Sequence, residues 1–109
     1  MPDIRVNDSD WNSLSSDVQS RIQTIVAQQL SGASIVPDPS GMSLTQNIST
    51  EGAAEAIGLS VGANEDCVAS CNSARDVAMA ACTLLGDPKA IAACMVATQI
   101  AAAICRAMC

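Results

Sequence analysis

Apolar residues recur at helical spacing in the first third of the chain. Trp11, Leu14, Val18, Ile22, Ile25, Val26 and Leu30 follow one another mostly at intervals of three and four behind Ser9 or Asp10. A capped stripe of that period predicts an amphipathic helix over about residues 10–30, stopped by Gly32 and Pro37. The run 31–50, SGASIVPDPSGMSLTQNIST, is rich in Ser, Gly and Pro and predicts a flexible linker. Thr50 can cap a short helix over 51–59. Beyond it the pattern predicts two long helices, about 65–85 and 88–108. Asn64 caps the first, with Glu65 and Asp66 in its opening turn, and Gly86, Asp87 and Pro88 form a stop-and-restart signal between the two.

Six cysteines refine this picture. Cys67, Cys71, Cys82, Cys94, Cys105 and Cys109 are spaced C-x3-C-x10-C-x11-C-x10-C-x3-C, which reads the same from either end. Pairing outermost with outermost gives Cys67 with Cys109, Cys71 with Cys105 and Cys82 with Cys94, each pair of numbers adding to 176. Facing residues of an antiparallel helical hairpin share such a constant sum. At 100° per residue each trio also falls within about 60° on its helix. Ala74 then faces Ala102 and Ala78 faces Thr98, small side chains where a disulfide needs Cα atoms about 4.4 to 6.8 Å apart. The expected fold class is all-α: a C-terminal antiparallel hairpin stapled by three disulfides, preceded by an amphipathic leader helix and a flexible linker.

Composition changes the functional picture more than the structural one. The chain of 109 residues has no His, Tyr or Phe and one Trp. Without His, the commonest acid/base group is missing, and with it Ser-His and Cys-His catalysis and His-ligated metal. The expectation is a non-enzyme with no catalytic residues, no cofactor and no resident metal. Five Lys plus Arg against eleven Asp plus Glu leave a net charge of −6, which repels phosphate backbones and argues against nucleic acid as a partner. Residues 1–63 hold seven acids, two bases and no cysteine, and residues 64–109 hold four acids, three bases and all six cysteines. This divides the chain into a leader region, 1–63, and a cysteine-rich hairpin, 64–109.

Other uses of the thiols stay open. C-x3-C on a helix sets two thiols one turn apart, a spacing that suits soft Cu(I), with Met79, Met95 and Met108 as further sulfur donors. Ser70, Ser73, Thr83 and Thr98 are candidate lanthionine partners, although four hydroxyls cannot occupy six thiols. Free buried cysteines are common singly but not six in register.

Cys67, Cys71, Cys105 and Cys109 make the hairpin resemble the α-hairpinins, which carry two C-x3-C motifs joined first-to-last and second-to-third; the longer intervening segment and the pair Cys82 and Cys94 are departures. The nested order is also similar to saposin-like peptides in topology. The whole chain resembles a ribosomally made, bacteriocin-like peptide precursor, with an acidic helical leader, a Gly62-Ala63 junction like those cut by peptidase-containing exporters, and a cysteine-rich core. In that resemblance Trp11, Leu14, Val18, Ile22 and Ile25 are the candidate docking stripe for a leader-binding processing enzyme or exporter; core packing is the equal alternative for the same residues. Met1 to Asp10 is polar and acidic, unlike a secretory signal, so the expectation is synthesis in the cytoplasm followed by secretion of an oxidised peptide. An apolar face of the second hairpin helix, Ala92, Val96, Ile100, Ala103 and Ala107, is the candidate surface for a membrane, a receptor or another copy. The competing expectations are a Cu(I) store and an uncleaved structural or interaction module with the hairpin buried against a partner; for the face itself the alternative is packing against the leader helix in an intact 109-residue domain.

The pairing is directly testable. Digestion of the unreduced protein followed by mass spectrometry is expected to release Cys67 linked to Cys109, Cys71 to Cys105 and Cys82 to Cys94, one pattern out of the fifteen available to six cysteines. A Cys67 to Cys71 link would overturn it.

Overall fold

In the computed structural model, which describes residues 2–109, the chain opens with a strand. Asp3–Asn7 (β1) alternates polar with apolar, and Ile4 and Val6 are fully buried while Asp3 and Arg5 face out. Asp8–Asn12 (α1) follows, capped by Asn7, whose side chain accepts from the Asp10 amide. Ser16–Gln29 (α2) is a separate helix, because Ser13 ends α1 and Ser15 caps α2 by accepting from the Val18 amide. The expected single helix over 10–30 is thus two, split where Ser13 and Ser15 supply the caps.

Ser34–Asp38 (β2) returns parallel to β1 in the register Asp3 to Ser34 through Asn7 to Asp38. An entirely helical fold is therefore corrected: 63% of the described residues are helical, in five helices, and a two-stranded sheet is present. The β-branched pair Ile35 and Val36 favours the extended state, and Pro37, which has no amide to donate, sits next to the strand's end. On the far side of β2 the Gln23 amide imitates a neighbouring strand, accepting from the Ile35 amide at 2.8 Å and donating to the Ala33 carbonyl at 2.9 Å.

The run 31–50, expected as a flexible linker, is ordered beyond β2 as well. Asn7 donates its amide to the Met42 carbonyl at 2.9 Å, the Asp10 carboxylate accepts the Leu44 amide at 3.0 Å, and Leu44 is buried. One buried leucine and these backbone pairings offset the chain entropy that composition alone would leave uncompensated. Thr50–Ile57 (α3) is capped by Ser49 and closed by Gly58 in the left-handed conformation, φ 73°.

Glu65–Cys82 (α4) begins at Asn64, whose side chain accepts from the Cys67 amide, and passes through a 3-10 turn at Thr83–Leu85. Gly86, at φ 80°, then turns the chain. Pro88–Ala107 (α5) starts from Asp87, whose carboxylate accepts from the Lys89 amide. The core is shared between the two halves of the sequence: Ile4, Val6, Trp11, Leu14, Ile22, Val26, Leu30 and Ala53 pack in one cluster with Val96, Ala97, Ile100, Ala101 and Ala103. α5 lies at its centre, touching β1, α2, α3 and α4.

Gly41 marks the tightest point of the N-terminal half. A Cβ placed there would stand 2.3 Å from the Val6 carbonyl carbon and 2.4 Å from its oxygen, so residue 42 can reach β1 only if residue 41 has no side chain. Gly41→Ala is expected to lower stability by roughly 1 to 3 kcal/mol through forced backbone displacement. A chemical-denaturation midpoint equal to wild type would refute this.

Candidate functional site

The disulfides organise the C-terminal half. Cys67 is bonded to Cys109, Cys71 to Cys105 and Cys82 to Cys94, with Cα separations of 5.7, 5.8 and 5.6 Å. Partner numbers fall along α5 as they rise along α4, so the start of α4 is tied to the end of α5. Between the rungs lie Ala78, Thr98 and Ala102, all buried. Cys82 and Cys94 are completely enclosed near the turn, whereas Cys67, Cys105 and Cys109 are half-buried at the open end. There two bridges adjoin: Cys71 Sγ stands 3.8 Å from Cys109 Sγ, and the sulfurs of Cys67, Cys71 and Cys109 all lie within 4.8 Å of one another.

The face expected to meet a membrane or partner is largely inside the protein. Val96, Ile100 and Ala103 are each 2% exposed, covered by the N-terminal half; Ala107 is half-buried and Ala92 is exposed. The reason is that α5 is apolar all round, so the side away from α4 is as buried as the side facing it. α5 is long and apolar enough to cross a membrane by length and composition, yet 56% of its most apolar window is buried in this fold. The stripe singled out for leader recognition also turns inward. Trp11, Leu14 and Ile22 are buried, and Val18 and Ile25 are packed against the core with partial exposure.

Gly62 and Ala63, the candidate cleavage junction, lie in the segment joining α3 to α4. Ala63 is exposed, as are Ser60, Val61 and Asn64. Gly62 is held more closely: its amide donates to the Arg106 carbonyl at 2.9 Å, and a Cβ there would lie 2.1 Å from the Cys109 carbonyl carbon. The junction therefore runs beside the end of α5 and the outermost disulfide.

Four polar pins tie the halves together. The Gln29 amide donates to the Thr98 carbonyl at 2.9 Å. The Thr50 hydroxyl donates to the Gln99 side-chain oxygen and accepts from Arg75 Nη1 at 3.0 Å. Arg106 Nη1 meets Glu51 Oε1 at 3.0 Å, with the arginine side chain 14% exposed. Sequence reasoning passed over Arg75, Arg106, Thr50 and Gln99. The available signal was Arg106 near the end of the strongly apolar α5, where a cation needs a partner to be tolerated; Arg75 stands on the more polar α4 and carries no such signal.

No protein-family model, curated protein or solved structure matches the chain.

The Glu51 carboxyl is held below its ordinary value, first by its own backbone amide at the start of α3 and then by Arg106. A carboxyl lowered in the folded state contributes stability above its unfolded value, near 4.5, and loses that contribution as pH falls through the lower folded value. Thermal melts between neutral pH and pH 3 are expected to show a shallower acid-side decline in Glu51→Gln than in wild type. Parallel curves would remove Glu51 from the acid response.

Proposed function

We propose that the chain is the precursor of a secreted, disulfide-stapled helical-hairpin peptide of bacteriocin-like, antimicrobial action, made in the cytoplasm and released by cleavage near Gly62 and Ala63. The observation that carries this reading is covalent: all three bridges close within Cys67–Cys109. The covalent link between residues 1–63 and that unit is the backbone of a largely exposed segment. One cut in that segment leaves a product whose helices remain antiparallel neighbours, because the bridges hold them.

In this reading residues 1–63 have two tasks. They present the chain to a processing enzyme or exporter, and they cover Val96, Ile100 and Ala103 until release. A covered apolar face keeps the precursor from meeting a membrane before export, and uncovering it supplies the surface for a target membrane or receptor. The Trp11, Leu14, Val18, Ile22 and Ile25 stripe, being packed in the core, would be read by the processing machinery after local opening of the N-terminal half.

A second reading is favoured by the same burial. A core that runs unbroken through both halves, with Gly62 wedged against Cys109, suits an uncleaved interaction module that works as a whole.

Intact mass of the exported material separates the two. The precursor reading expects residues from about 63 or 64 to 109 less six hydrogens, and recovery of only the full chain supports the module. Ile100→Lys sharpens the result. In the full chain it places a charge in the core and is expected to destabilise severely. In the released peptide the helices should persist while membrane leakage falls about ten- to a hundredfold. Undiminished leakage by the oxidised variant would count against this face.

A further inference from the structure

The sulfur cluster at the open end of α4 and α5 carries a chemistry that the oxidised ladder conceals. Cys67 and Cys71 lie one turn apart on α4, Cys105 lies in the last turn of α5 with Cys109 just beyond its end, and the facing pairs have Cα separations of 5.7 and 5.8 Å. Cys71 Sγ and Cys109 Sγ, which are not bonded to each other, are already 3.8 Å apart. A tetrahedron of metal–sulfur bonds near 2.3 Å has sulfur–sulfur edges of about 3.8 Å.

We propose that in the reduced chain Cys67, Cys71, Cys105 and Cys109 form a tetrathiolate site for a four-coordinate thiophilic ion of the Zn2+ type. The site and the outer two disulfides are alternative states of the same four sulfurs. The proposal goes beyond the precursor reading and holds whether or not the chain is cleaved.

The exchange balances simply. A thiol or phosphine reductant supplies two electrons to each of two S–S bonds, and with four protons from solvent these become four thiols. Binding of the ion then returns the thiol protons to solvent, leaving four metal–sulfur bonds and a net charge of −2 on the centre. Oxidation runs the other way: two molecules of a small disulfide oxidant such as oxidised glutathione take up the four electrons, their S–S bonds becoming four thiolates, as the two protein disulfides form and the ion leaves. The geometry favours these four over the third pair. Cys82 and Cys94 are the only cysteines at their end of the helices and are fully enclosed, so they offer two sulfurs and no access. The four at the other end include three that are partly exposed, which gives an ion a path in. Asn64 fixes the first turn of α4 by accepting from the Cys67 amide at 3.0 Å, presetting one corner of the site.

The test uses the full chain, reduced with a phosphine without oxygen and titrated with Co2+ and then Zn2+. Expected are intense thiolate-to-Co2+ charge-transfer absorption saturating at one equivalent, its loss on adding one equivalent of Zn2+, and unchanged stoichiometry in the Cys82→Ser/Cys94→Ser variant. Cys71→Ser should weaken Zn2+ binding by about a hundredfold or more. Alkylation mapping in wild type covers the case in which Cys71→Ser unfolds: Zn2+ should slow modification of Cys67, Cys71, Cys105 and Cys109 at least about tenfold beyond any effect on Cys82 and Cys94. Absent charge transfer, equal protection of all six cysteines, or Zn2+ binding untouched by Cys71→Ser would each overturn the proposal.

Discussion

The close approach of α4 and α5 is the constraint on which the rest of the structure depends. Cα atoms stand about 2.3 Å off a helix axis, so Cα separations of 5.6 to 5.8 Å at three facing pairs hold the two axes about 10 Å apart, within the range of ordinary helix packing, all along the pair. Such an approach is possible because the seam is lined by small side chains, among them Ala78, Ala101 and Ala102. Alanine contributes little buried apolar area, and the chain has one Trp and no Phe or Tyr to make up the difference. The bridges supply what the seam cannot, each on the order of 2 to 4 kcal/mol through restriction of the unfolded chain, with nested loops contributing less than their sum. Small residues permit the bridges, and the bridges make small residues sufficient.

α5, fixed in this way, becomes the floor for everything N-terminal to it. Ile4 and Val6 of β1 and Ile22 and Val26 of α2 are fully buried in the cluster that includes Val96 and Ile100. Polar pins then set the register of the cover: Gln29 on the Thr98 carbonyl, Thr50 on Gln99, and Glu51 on Arg106. Arg75 completes the set from α4 by donating to Thr50, so α3 is held from both helices of the bridged pair. The acidic N-terminal half is thereby anchored through two of the few basic residues that the cysteine-bearing half possesses.

The helical, disulfide-bridged character of the C-terminal half was legible in the sequence because it rests on local signals. Asn64, Gly86, Asp87 and Pro88 act on backbone groups within a few residues of themselves. The sheet was not legible, since it rests on pairing between Asp3–Asn7 and Ser34–Asp38 across α1 and α2. β1 offers only Ile4 and Val6 as an alternating signal, and β2 hides in a Ser, Gly and Pro-rich run. The cover over the apolar face of α5 is hidden from the sequence for a related reason. Period marks a helix with one wet side, but α5 is buried on nearly every side, and nothing within residues 88–108 says which neighbour covers which face. Arg75 and Arg106 pair with Thr50 and Glu51, 25 and 55 residues away, so no local pattern announces either contact.

The ladder also has a preferred order of assembly. Cys82 and Cys94 are 12 residues apart and Cys67 and Cys109 are 42 apart, so closing the inner loop first costs about 1 kcal/mol less in chain entropy. With that rung made, Cys71 and Cys105 are each separated from it by one helical segment of equal length, and α4 and α5 need only propagate to bring them together. The stretch between these rungs carries no bridge and must be held by helix and seam alone, which is where Ala78, Thr98 and Ala102 are found. Thr98 is completely buried there with its hydroxyl donating to the Met95 carbonyl at 2.8 Å, so a polar residue enters the seam without an unpaired group. Zipping outward from the enclosed end leaves the half-exposed open end until last. Loop entropy thus favours closing the enclosed end before the end that carries Cys67, Cys71, Cys105 and Cys109.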